Sequence, residues 1–152
     1  MKATTQVLIE LWQEARTRFT NKLQQITEND LTKKLAPCPY NLGFLIRHIG
    51  DMELLFAKNE LGSTDIKAIV KTDIAQKDTR DWTNLADLKD YSDYAFKSLL
   101  SILEKQTDAD WESTITIKEA GTKTKAEAFG RIISHTAYHA GQISIIHKYG
   151  NI

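Results

Sequence analysis

Only two prolines occur in 152 residues, Pro37 and Pro39, and they bracket Cys38. Long stretches without proline or glycine favour helix. In those stretches apolar residues recur at steps of three and four, the spacing that lines one helix face. Four such segments stand out. The first runs from about Thr5 to Thr27, with Leu8, Leu11, Trp12, Ala15, Phe19, Leu23 and Ile26 in its stripe. Arg16, Lys22 and Gln24 fall on its other faces. The second runs from about Leu42 to Leu61 on Leu42, Leu45, Ile49, Met52 and Phe56. Asn41 is a favoured type of N-cap for it, and Gly62 follows its end. The third spans about Asn84 to Gln106 on Leu85, Leu88, Tyr91, Ala95, Leu99 and Ile102, with Asp87, Asp90 and Asp93 as a solvated face. The fourth spans about Lys125 to Tyr149 on Phe129, Ile132, Ile133, Ala140, Ile143 and Ile146.

The connections differ in character. Residues 28–40 are broken by Asn29-Asp30 and Pro37-Cys38-Pro39. Residues 62–83 are polar and weakly patterned; Ile66, Ile69, Val70 and Ile74 suit a short helix or an extended crossover, with Trp82 anchoring its end. From Ser113 to Ile117 β-branched residues alternate, and Gly121 supplies a turn, which predicts a small hairpin or extended loop. The sum is an all-α four-helix bundle, with a long crossover between helices two and three and a small hairpin before helix four. A chain of this length makes one domain, residues 1–152.

Charge narrows the partners. Acidic and basic residues balance at 20 each, so no broad electrostatic footprint for nucleic acid or an anionic membrane is expected. No apolar run reaches the roughly 18 residues of a membrane span. The N-terminal Met1-Lys2-Ala3-Thr4-Thr5 has no apolar signal core. One cysteine cannot form an internal disulfide. A cytoplasmic protein acting on a small molecule is the default expectation.

The fourth segment carries His135-Thr-Ala-Tyr-His139-Ala-Gly-Gln142. A four-residue step on a helix turns about 40° and rises about 6 Å, so two imidazoles at that spacing are neighbours on one face. They can hold one metal ion or simply hydrogen-bond. The zinc-protease pattern H-E-x-x-H is absent, because Thr136 stands where its glutamate would be. A third ligand must come from His48 or His147. His147 is turned about 80° from His139 and sits beside Lys148, where an exposed helix-end histidine is the simpler role. His48 lies on the edge of the second helix's stripe and is the better candidate. Ferritin-like di-iron sites need Glu-x-x-His units, which none of these histidines has.

Asn41-Leu-Gly-Phe-Leu-Ile-Arg-His48-Ile-Gly-Asp51-Met-Glu53 resembles the second helix of the DinB/YfiT-like superfamily. His135-Thr-Ala-Tyr-His139-Ala-Gly-Gln142-Ile resembles its fourth-helix HxxxHxGQ segment. The resemblance covers the chain in length, helix order and the hairpin. It implies an up-down-down-up bundle, a divalent metal on His48, His135 and His139, and often a homodimer. Some relatives use low-molecular-weight thiols in S-transfer or isomerisation, and some have hydrolase roles. One departure is Ala140, where many members have Arg; if that Arg handles an anionic substrate or cofactor group, the contact is lost here, as in a relative that kept the metal but changed substrate.

Three neutral imidazoles suit Zn²⁺ or Ni²⁺ first, with Fe²⁺, Cu²⁺ or Mn²⁺ as further options. Three protein ligands leave a position for water or substrate, as in catalytic zinc sites. Asp51, on the same face as His48, is a candidate to orient it or to act as a base. Glu53 points about 140° away from His48. Gln142 can orient a ligand or donate to substrate. Tyr138 reads as a packing residue, and Cys38 as an inert loop cysteine that reaches the site only if its loop folds over the bundle. Two functional readings follow: a metal-dependent hydrolase or thiol S-transferase, and a non-catalytic helical protein that binds metal or another ligand, in a stress response for example. A bundle whose histidines only hydrogen-bond in the core is the bland alternative.

Overall fold

The computed structural model describes residues 3–67 and 69–152. Its helices are α1 (Thr4–Leu23), α2 (Leu42–Asn59), α3 (Lys71–Ala75), α4 (Leu85–Leu103), α5 (Asp108–Glu112) and α6 (Lys125–Tyr149). Strands β1 (Thr114–Ile117) and β2 (Gly121–Thr124) pair antiparallel, with Thr114 opposite Thr124 and Ile117 opposite Gly121. The long helices α1, α2, α4 and α6 are those read from the periodicity.

Their ends are set by local chemistry. Asn41 caps α2 by accepting from the Phe44 N–H at 2.9 Å, and Asn84 caps α4 by accepting from Asp87 N–H. Thr124 and Glu127 form a reciprocal capping box that starts α6 directly out of β2. Helix α1 stops at Leu23, short of the expected Thr27, and a capping box between Thr27 and Asp30 starts a tight turn at Glu28–Asp30 instead. Ile26 still reaches the core from outside the helix, which is why the apolar spacing overshot the end. Gly62 at φ +70° lies just past α2.

Helix direction follows from which ends share a core. One apolar cluster joins Phe19 and Leu23 at the end of α1 to Leu42–Ile49 at the start of α2, Leu88 at the start of α4, and Ile143 and Ile146 late in α6. The other joins Ile9 and Trp12 to Leu54, Phe56, Leu99, Leu103 and Phe129. Helices α1 and α6 therefore run one way and α2 and α4 the other, the up-down-down-up order. The crossover carries α3, and buried Trp82 anchors its end. The backbone oxygen of Trp82 sits 2.0 Å from where a Cβ would stand on Gly43, so glycine there lets the crossover lie against α2.

A polar layer separates the two apolar clusters. Arg16 of α1, read as lying off the apolar face, is in fact buried. Its Nε lies 3.0 Å from Glu53 Oε1, its Nη2 donates to the Ser92 carbonyl at 2.6 Å, and Trp12 Nε1–H donates to Glu53. Burial pushes the Glu53 carboxyl up to about 7, against the pull of Arg16 and the Trp12 N–H. Leu11, by contrast, is exposed. Glu53→Ala is expected to destabilise the fold by about 3–5 kcal/mol, because it strands a buried guanidinium. Replacing Arg16 and Glu53 together by methionine is expected to recover most of that loss. Urea midpoints at unchanged slope check both.

Candidate metal centre

The same polar layer holds the histidines. His48 of α2 and His135 and His139 of α6 come together with one ring nitrogen each, all within 4.8 Å of one another. His135 Nε2 and His48 Nε2 are 3.1 Å apart. His147 is not part of the group. It is half-buried over the Glu28–Asp30 turn, with Nε2 3.4 Å from Asp30 Oδ2, rather than fully exposed.

Two neighbours decide which nitrogens face inward. Asp51 accepts the Thr72 O–H at 2.7 Å and the Thr72 N–H at 2.9 Å. A carboxylate only accepts, so the Thr72 oxygen is left to accept from His48 Nδ1–H, at 3.0 Å. Gln142 Oε1 accepts from His139 Nδ1–H at 2.6 Å, and its amide donates to the Tyr138 hydroxyl at 3.1 Å. Both histidines are thereby held as tautomers with a free Nε2 lone pair, which on His48 lies against His135. A hydrogen bond to the far ring nitrogen is the usual way a metal-ligating histidine is oriented. His135 Nδ1 is buried with no partner among the described residues.

Asp51 is fully buried and takes two further donors, Arg47 Nε–H at 2.8 Å and the Tyr91 hydroxyl. The Arg47 guanidinium lies 3.5 Å over the Tyr91 ring. Asp51 thus acts on His48 through Thr72, and its four donors leave no free lone pair toward the centre. Glu53 faces Arg16, as its helical rotation required. Tyr138 is exposed and partners Gln142, not a neighbouring helix. Cys38 is half-buried and lines a cleft of about 160 Å³ with Tyr40, Leu45 and Gln142.

Burial pushes all three imidazoles down. His48 falls to about 4, helped by the His139 charge and opposed by Asp51. His135 falls to about 3, from burial and then its two histidine neighbours. His139 is lowered by burial against the pull of Gln142. At neutral pH the group is uncharged, with lone pairs available, which is the state a divalent ion needs. The donor set, its tautomers and its size fit one transition-metal ion. In metal-free protein the unfolded chain takes up these protons first, from about pH 6.5 downward. The stability that these histidines contribute is therefore expected to be fully present above that pH and to fall progressively toward the folded values near 4 and 3. It runs against an opposite contribution from the raised Glu53 carboxyl, which is present below about 4.5 and is lost as pH rises through about 7. Thermal midpoints of chelator-treated protein at pH 7.5 and 5.5 read this, and His48→Ala is expected to flatten the drop.

A cavity of about 440 Å³ opens beside His135, walled by Met52, Arg131, Ile132, Ser134 and Tyr138. A larger one, about 610 Å³, lies between α1 and α4. No histidine lines the larger one, and its buried cation, Arg16, is already engaged by Glu53 and Ser92. The smaller cavity is the one with chemistry.

The fold has known counterparts. A mutant form of mycothiol-dependent maleylpyruvate isomerase matches with TM-score 0.71 and 11% identity over 94% of this chain. The unmutated isomerase matches with TM-score 0.70 and 12% identity. This chain spans 63% of those isomerase chains. A conserved protein from Enterococcus faecalis matches with TM-score 0.71 and 19% identity over 97% of both chains. No curated protein matches the sequence significantly. No helix among the described residues is long and apolar enough to cross a membrane. The family model described as the DinB superfamily matches residues 11–143, and the chain belongs to that superfamily.

Proposed function

We propose that this protein is a metal-dependent enzyme whose centre, His48, His135 and His139, holds one divalent transition ion, Zn²⁺ or Ni²⁺ first. The observation that carries the reading is the convergence of three neutral imidazoles, two of them held by Thr72 and Gln142 at Nδ1 so that Nε2 keeps its lone pair. An ion on three nitrogens keeps an open position and can lower the pKa of a bound water or thiol or polarise a carbonyl.

The surroundings favour a thiol over water. Hydrolysis calls for a base near the nucleophile. Among the described residues no carboxylate lines the cavity beside His135, and Asp51 is buried under four donors. A thiol ionises more readily and needs no neighbouring base. Thiol S-transfer or isomerisation is thus the first reaction class, and hydrolysis the second. The likeness to a mycothiol-dependent isomerase supports the same order. The proposal extends to a cytoplasmic homodimer acting on a small molecule, with no nucleic-acid or membrane partner; light scattering on purified protein tests the dimer.

The test uses Co²⁺ as a visible reporter. Added 2-mercaptoethanol is expected to bring in a sulfur-to-cobalt charge-transfer band, showing an open position. A loaded protein whose spectrum ignores thiol and azide alike would instead support the non-catalytic reading, a closed binding site.

A further inference from the structure

Arg131 is the charged side chain of the cavity beside His135, and it stands four residues before that histidine on α6. That spacing puts it about 6 Å along the helix on the same side. Among the described residues no carboxylate pairs with its guanidinium, and none lines the cavity. The other cations near the centre differ. Arg47 is bound to Asp51 and to the Ile69 carbonyl. The remaining wall is apolar at Met52 and Ile132 and hydroxylic at Ser134 and Tyr138. The cavity thus brings His135, one member of the imidazole centre, and an uncompensated planar donor group onto one lining.

We infer that Arg131 anchors the anionic end of the substrate, so that the molecule taken by this centre is a small carboxylate whose reacting group lies roughly one helical turn from its charge. This rests on the metal reading above. A guanidinium recognises a carboxylate through paired N–H donors, and an apolar wall on one side leaves the charged end little other choice. Ala140 does not offer such a contact from the turn after His139. Arg131 offers it from the turn before His135. A neutral or cationic thiol gains nothing from this arrangement.

The test is binding, read by charge-transfer absorbance on Co²⁺-loaded protein. The probes are 3-mercaptopropionate, 2-mercaptoethanol and cysteamine. The carboxylate thiol is expected to bind about tenfold tighter than the neutral one, the scale of a hydrogen bond to a charged group, and the cationic one weakest. A carboxylate can also chelate the ion directly, so the decisive arm is Arg131→Gln. This side chain is exposed, and the variant should fold and load Co²⁺ as the parent does. It is expected to lose the preference for 3-mercaptopropionate while binding 2-mercaptoethanol unchanged. A preference that survives in Arg131→Gln, or no preference in the parent, overturns the inference and leaves the metal reading standing. Failure of the parent to take up Co²⁺ overturns both.

Discussion

Asp51→Ala is expected to lower stability by about 3–5 kcal/mol, the range for stranding one partner of a buried charged pair, and to weaken divalent-metal binding about 10–100-fold. The two effects have one origin. Asp51 is the sole carboxylate at a point where Arg47, Tyr91 and both donors of Thr72 meet. Without it a main-chain N–H, two hydroxyls and a guanidinium lose their acceptor in a place with little water. Thr72 then no longer has a fixed orientation, and His48 Nδ1–H loses a defined partner. Thr72 also belongs to α3, so the crossover loosens from α2. Three readouts separate these events. Urea denaturation gives the stability change, competition with a chromophoric chelator gives the affinity, and amide exchange over Lys71–Ala75 reports the crossover. Thr72→Val is the sharper companion. It keeps the shape, the N–H bond to Asp51 and most of the fold, but removes the hydroxyl between Asp51 and His48. It should reproduce the loss of affinity with a smaller loss of stability. An Asp51→Ala protein with parental affinity would show that the hydrogen bonds behind His48 do not orient it.

How much of this was legible beforehand depends on distance along the chain. The four long helices declared themselves through apolar spacing, and Asn41 through its capping chemistry. HxxxH spacing is a property of one helix, so the pairing of His135 with His139 is local. His48 could be chosen over His147 because its neighbours Leu45 and Met52 put it by the core, whereas His147 follows a different rotation. The partners behind the histidines are another matter. Gln142 lies three residues from His139 and its place on that face was readable. Thr72 lies 24 residues from His48 and Tyr91 lies 40 residues from Asp51; only the docking of the crossover and of α4 brings them there. Nothing in the weak pattern of residues 62–83 marks one threonine over its neighbours. Arg16 misled for a related reason. Charge placed it on the polar face, but α4 meets α1 with Ser92 and Phe96 against it, and Glu53, two residues past Asp51, turns to neutralise it. An acid and a base both buried across two helices can be seen only once the helices are packed. The five-residue helix α5 was missed because it is short, although buried Trp111 and the Thr107–Asp110 capping box hold it in place.

His48→Ala, His135→Ala and His139→Ala form the second large expectation. Each removes one of three donors that converge from two helices. Because two imidazoles make a much weaker site than three, each variant is expected to lose its metal on passage over a chelating resin that the parent survives. The folds should persist, since truncation removes a polar ring, half-buried at His48 and His135 and buried at His139, and not a part of either apolar cluster. His147→Ala, which leaves the group of three untouched, is the control and should load normally.

Elemental mass spectrometry on tag-free protein, purified without chelator and then offered Zn²⁺ or Ni²⁺, is the measurement that bears most directly on the whole account. About one divalent ion per chain in the parent and in His147→Ala, with little or none in the three histidine variants, is the predicted result. A parent that retains no ion once the excess is removed, or variants that retain as much as the parent, would contradict it, and His48, His135 and His139 would then be hydrogen-bonded histidines in the polar layer of a helical bundle.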